Sequence, residues 1–213
     1  LGLVMQIITT PLSGAITDKL GRRKTTFFFD IVAWTIPTLI WAIAQDFNYF
    51  LVAASINGTW RITPTSWSCL LVEDADPEQL VDIYTWIYIA GLLSAFFAPL
   101  AGLLINRFSL VPTVRGLYLF AAISMTIKFV ILYIYSTETK QGAVRMEETK
   151  HQSIFSLLGE YRGVFRQILR TPATLYTLGL MLVISITGTV NGSFWSILVT
   201  EKLKIPAEHI ALY

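Results

Sequence analysis

Five unbroken apolar runs, each long enough to cross a bilayer as a helix, limit this chain more than any other feature. A hydrocarbon core about 30 Å thick takes about 20 residues of α-helix. Runs over residues 25–44, 48–72, 83–105, 114–136 and 173–200 reach that length between polar breaks. Residues 1–17 read as the second half of another span, ending at Asp18. Hydrophobic residues make up 54% of the chain and charged ones 14%, too apolar for an ordinary water-soluble domain. The expected fold class is therefore an all-α polytopic membrane protein of six helices, the first cut short. Pro37 predicts a kink in the 25–44 run, tolerable where a neighbouring helix satisfies the freed carbonyl. Pro172 stands where a first-turn proline opens the last helix.

Several function classes fall away on composition. A net charge of +2 gives no bulk attraction for nucleic acid. Cys69 is the sole cysteine, which excludes an internal disulfide and any multi-cysteine metal site. His151 and His209 lie far apart in polar segments, so no metal centre is expected. No cleavable signal peptide is visible. A chain that opens on apolar Leu1 and stops at Tyr213 after a new polar break reads as an internal piece of a longer protein.

Orientation follows from lysine and arginine in the breaks. Successive breaks alternate sides. One side collects Lys19, Arg22, Arg23, Lys24, Lys140, Arg145, Lys150, Arg162, Arg166 and Arg170; the other has Arg107, Arg115, Lys202 and Lys204. The first side is expected to be cytoplasmic, and the acidic stretch "EDAD" at 73–76 shares it. In the long polar segment 137–172, Ile154, Leu158, Tyr161, Phe165 and Leu169 recur at helical spacing beside Arg162, Arg166 and Arg170. Such a helix can lie along the headgroups with its arginines on anionic phosphates, or pack on the ends of the bundle.

The turn "GAITDKLGRRKT" at 14–25 carries more than topology asks for. Gly14 permits close approach at a helix end, and Gly21 permits a positive φ. Asp18 can accept hydrogen bonds or face a helix N-terminus, while Lys19, Arg22 and Arg23 supply the positive charge. The two arginines can clamp carboxylates such as Glu73 and Asp74. This order of glycine, acid, base, glycine and paired bases resembles the signature of the major facilitator superfamily between its second and third helices. The resemblance implies helices two to seven of a twelve-helix secondary transporter with two six-helix halves. Residues 1–136 would be the amino-terminal bundle, 137–172 a cytoplasmic connection with an amphipathic helix, and 173–213 the seventh helix and the start of the next loop. It further implies a small-molecule solute carried across the cytoplasmic membrane by alternating access, with proton or sodium coupling and no bound cofactor. A monomer is expected once the remainder of the chain is present. Under this reading Asp18, Arg22 and Arg23 latch onto Glu73 and Asp74 when the cavity opens outward.

Charges within the runs are the remaining candidates. Arg61 lies about 16 Å from the nearer end of its run, where an unmet charge costs roughly 3 kcal/mol or more. It is expected to face a polar cavity, with Asn57 one turn away on the same face and Trp60 beside it, as a ligand for an anionic or hydroxyl-rich solute group or a partner in a charge relay. A buried pair with Asp30 is the alternative. Asp30 is either a coupling acid or a paired structural carboxylate, and Lys128 can snorkel. In the last run Thr187, Asn191 and Trp195 form a stripe flanked by Gly188 and Gly192, fit for solute contact or for helix packing. Gly91, Ala95, Ala98 and Gly102 make a small-residue face around Pro99. The sequons at Asn57 and Asn191 lie within spans and take no glycan. A sensor or scaffold derived from a transporter, or a membrane-embedded enzyme, are the competing classes; the second lacks a nucleophile or metal set.

Overall fold

The computed structural model describes residues 2–95 and 97–204, and every regular element among them is helical. In chain order these are α1 (Gly2–Thr9), α2 (Leu12–Leu20), α3 (Arg22–Asp30), α4 (Ile36–Ile43), α5 (Phe47–Asn57), α6 (Thr63–Val72), α7 (Pro77–Ala95), α8 (Ala98–Phe108), α9 (Leu110–Tyr135), α10 (Lys140–Thr149), α11 (Ile154–Arg170) and α12 (Pro172–Ile197). A π-helical segment, Ile31–Thr35, joins α3 to α4, and a 3-10 segment, Gly58–Ile62, joins α5 to α6. A second π segment, Leu198–Lys202, follows α12. Among the described residues, four helical stretches are long and apolar enough to cross a membrane: Arg22–Ile43, Pro77–Phe108, Leu110–Tyr135 and Pro172–Gly192. The expected 48–72 run is also helical throughout, but it tightens to 3-10 geometry at residues 58–62. His209 and the last residues of the expected 173–213 segment lie outside the described residues.

Two compact units divide the chain. One comprises Leu1–Tyr88 with Val111–Leu158, the other Ile89–Leu110 with Gly159–Tyr213. In the first, α3 packs along α6, α4 along α5, and α1 crosses the 3-10 segment. Small residues set that crossing: a Cβ on Gly58 would stand 2.6 Å from the Met5 Cβ and 3.0 Å from the Gly2 carbonyl oxygen. The Thr9 hydroxyl donates to the Gly58 carbonyl at 3.1 Å across it. Hydroxyls pair across the packed helices beside buried Ala15, Ala33, Ala53 and Ile62, as Thr26 donates to Ser66 at 2.8 Å and Ser13 meets Thr65 at 3.1 Å.

The proline signals resolve into local devices. Pro37 has no N–H, so the helix before it widens into the π segment, and the buried Ala33 carbonyl receives the Asn57 side-chain amide at 2.8 Å. The expected break "NRFSLVPTVR" contracts to Ser109 alone, at φ 70°. Pro112 does not prolong it, because a proline within the first helical turn gives up no intrahelical bond. The polar segment 137–172 holds two helices rather than the one anticipated; α10 shows no apolar period and forms against α2.

In the second unit, α12 carries Thr187, Asn191 and Trp195 on exposed positions four residues apart, and the Thr187 hydroxyl turns back to the Val183 carbonyl at 2.9 Å. Space is open around Gly188, Gly192 and Gly91, so no described neighbour packs on those glycines. Arg162, Arg166 and Arg170 all fall within α11, the last two exposed.

Candidate functional site

Gly21 creates the first site. It ends α2 and opens α3 at φ 85°, a region that L side chains rarely adopt, and it turns the chain sharply enough to put Asp18 and Arg22 on one side. Arg22 is buried, at 4% exposure. Its Nη1 donates to Asp18 Oδ1 at 3.1 Å, its Nη2 to Glu73 Oε1 at 2.9 Å, and its Nε to Glu73 Oε2 at 3.1 Å. A forked cation thus faces two carboxylates, the geometry in which an ion pair survives burial.

Residues of the polar segment complete the cluster. Arg145 of α10 reaches Asp18 Oδ2 at 3.0 Å and Glu148 at 2.9 Å. The Thr139 hydroxyl donates to Glu73 and accepts from the Gly142 amide at 2.9 Å, capping α10. Glu138 accepts from the backbone amides of Arg22 at 2.8 Å and Arg23 at 3.1 Å, capping α3 where Gly21 has no side chain to do so. Asp74 accepts from the Lys140 amide at 3.1 Å, and Lys19 donates to the Gln152 carbonyl. Although burial pushes the Glu73 carboxyl up, hydrogen bonds from Arg22 and Thr139 and the arginine's charge hold it below the usual carboxylate range.

Arg23 departs from the expected clamp. It donates to the Tyr133 carbonyl at 2.8 Å and lies 4.1 Å from the centre of the Tyr133 ring, not on an acid. The reason is angular: successive residues of a helix point about 100° apart, so only one of the two arginines can face Glu73. Glu138, Thr139 and Arg145 escaped the sequence reading because their stretch has neither an apolar period nor a motif. Their only signal was charge of both signs on the expected cytoplasmic side.

A second site lies on the 3-10 segment. Arg61 is exposed, its Nε donates to Gln6 Oε1 at 3.0 Å, and its guanidinium carbon sits 4.3 Å over the Trp60 ring. The expectation that Asn57 shares its face is corrected. Four residues of α-helix rotate a side chain by about 40°, whereas four residues of 3-10 helix rotate it by about 120°, and Asn57 points instead to the Ala33 carbonyl. The alternative, a buried Arg61–Asp30 pair, is not formed, since Arg61 turns to Gln6 and Trp60. Gln6 was overlooked as a polar residue in an apolar run.

Asp30, 8% exposed, lines a cavity of about 390 Å³ with Thr63, Pro64, Trp67, Lys128 and Leu132. Lys128 is exposed and its Nζ lies 4.5 Å over the Phe129 ring. Among the described residues no group of three or more His, Cys, Asp or Glu could hold a metal ion.

These sites consist of ion pairs at helix ends and single charges inside apolar spans, which suits a moving membrane bundle and supplies no nucleophile with its base. Searches of curated proteins and of solved structures returned no match. Residues 1–211 match the Major Facilitator Superfamily. With nearly its whole length matched and its long apolar helices around a charged turn, the chain belongs to the Major Facilitator Superfamily of membrane transporters.

Proposed function

We propose that the chain forms part of a secondary active transporter that moves a small solute by alternating access, with ion coupling, and that its charged turn and central connection face the cytoplasm. The observation that carries this reading is the position of Asp18, held between Arg22 of its own turn and Arg145 of the connecting segment. Arg22 and Glu73 keep the helix ends together, while the Asp18–Arg145 contact is the one that opens and closes with the transport cycle. Asp74 at the Lys140 amide and Lys19 at the Gln152 carbonyl steady the same connection. Arg61 and Trp60 serve the solute site in the first unit; in the second unit the stripe of Thr187, Asn191 and Trp195 on α12 is taken as a separate surface for solute contact. Asp30, facing Lys128 across a cavity, is the group suited to proton coupling. Arg166 and Arg170 on α11 meet anionic headgroups.

Flux of labelled solute in proteoliposomes containing the full-length protein tests the reading. Reversing one charge, as Asp18→Arg or Arg145→Asp, is expected to abolish flux, and the double exchange to restore part of it. Failure of the exchange with normal expression and insertion counts against the latch; absence of flux in the unaltered protein favours a sensor or scaffold. Labelling of Lys24 and Lys140 from opposite sides of the membrane would overturn the orientation.

A further inference from the structure

We infer that the solute site takes an oxyanion, a carboxylate or phosphate group of a small solute, on Arg61, with Gln6 positioning the guanidinium and Trp60 forming the wall beside it. The inference rests on the transport reading for the purpose of the site and adds the chemical class of the solute.

The argument starts from how the arginines near the spans are met. Arg22 and Arg145 meet carboxylates, Arg23 meets the Tyr133 carbonyl, and Arg115 meets the Ala44 carbonyl at 2.8 Å. Arg61 differs. It stands in the middle of an apolar run, its hydrogen-bonded partner is the neutral amide of Gln6, and among the described residues no acid lies within the 4.0 Å of an ion pair. A neutral acceptor on Nε fixes the plane of the guanidinium without cancelling its charge. Trp60 covers one face of that plane at 4.3 Å, and Trp34 backs Trp60 at 6.3 Å between ring centres. The edge bearing Nη1 and Nη2 remains, and that edge presents two parallel N–H donors at the spacing of two oxygens on a carboxylate or phosphate.

The surroundings are shaped to keep this arrangement. Gly58 lets α1 approach closely enough for Gln6 to reach Arg61, and the 3-10 segment turns Arg61 away from Asn57. A cation at this depth, exposed and held by neutral groups, is stabilised most by an anion that arrives with its own charge. Asp30 does not play that part, as it shares its cavity with Lys128.

Binding to the purified full-length protein tests the inference. The probes are lactate with lactamide, benzoate with benzamide, and phenyl phosphate, read as the change in tryptophan emission that disappears in Trp60→Phe. At least one oxyanion is expected to bind saturably and its amide at least about tenfold more weakly, since a charge-assisted pair of bonds is lost. Comparing benzoate with phenyl phosphate separates carboxylate from phosphate. Arg61→Lys, which keeps the charge and loses the fork, is expected to weaken binding about tenfold or more. Gln6→Glu, which cancels the charge at nearly constant volume, is expected to do the same, and Gln6→Leu to weaken it less. Equal binding of an oxyanion and its amide, failure of every oxyanion to bind, or unchanged binding in Arg61→Lys and Gln6→Glu would overturn the inference. Because binding is read without flux, a protein that binds oxyanions but moves none refutes the transport reading alone. One that transports solutes with no preference for the anion refutes the oxyanion site alone.

Discussion

Arg22 at the charged turn and Arg61 in the middle of its apolar run are the same side chain in opposite surroundings. Arg22 is buried and held by two carboxylates, with its own backbone amide and that of Arg23 capped by Glu138. Arg61 is exposed and held by one neutral amide and one indole face. The first arrangement commits all three guanidinium nitrogens to carboxylates and locks helix ends; the second leaves donors free for something that comes and goes. A cation inside a membrane protein therefore declares its role through what already satisfies it, more than through its depth.

The contrast is broken most severely at the turn. Arg22→Ala leaves Glu73 and Asp18 facing each other in a half-buried cluster, and is expected to cost about 3–5 kcal/mol by thermal unfolding in detergent; Arg61→Ala is expected to change stability by less than about 0.5 kcal/mol. Comparable losses in the two variants would erase the distinction. Gly21→Ala asks an L residue to hold φ 85° with its Cβ 2.5 Å from a Glu138 carboxylate oxygen and 2.7 Å from the Met146 sulfur. A loss of about 2–3 kcal/mol is expected, and Gly21→Asn should recover part of it only if φ rather than crowding dominates. Asn57→Leu tests whether that residue belongs to the helix junction instead of the solute cavity. It orphans the buried Ala33 carbonyl and is expected to cost about 1–3 kcal/mol while leaving oxyanion binding unchanged; the opposite pattern would return Asn57 to the cavity. The smallest effect is the pH dependence of the turn. Glu73 titrates below its ordinary value, so its stabilisation is complete above about pH 4.3 and is lost as pH falls through the lower folded value. Melting temperature should fall on that acid limb, and Glu73→Gln should flatten it.

Much of the turn was legible in the residues. Gly21 fell where a positive φ was needed, and an arginine of the turn did find Glu73, because both requirements are local: one is a backbone angle, the other a charge that must be met nearby. Which arginine did so was not legible, since Arg22 and Arg23 differ only in the direction a helix points them. Glu138, Thr139 and Arg145 were invisible as partners, because their segment folds against α2 and has no period of its own. At Arg61 the depth was readable and the neighbours were not. Sequence spacing assumes a uniform helix, and five residues of 3-10 geometry rotate every later side chain off that expectation.

The sequence by itself determined that the chain lives in a bilayer, that its regular structure is helical and that it carries the charged turn of its family. Those properties follow from solvent transfer of about twenty residues at a time and from short-range backbone geometry. Tertiary structure decided which charges meet: Arg145 with Asp18, Gln6 with Arg61, Asn57 with the carbonyl that Pro37 leaves free. These pairings join residues far apart in the chain, and only packing fixes the few ångströms and the helical phase on which an ion pair or hydrogen bond depends.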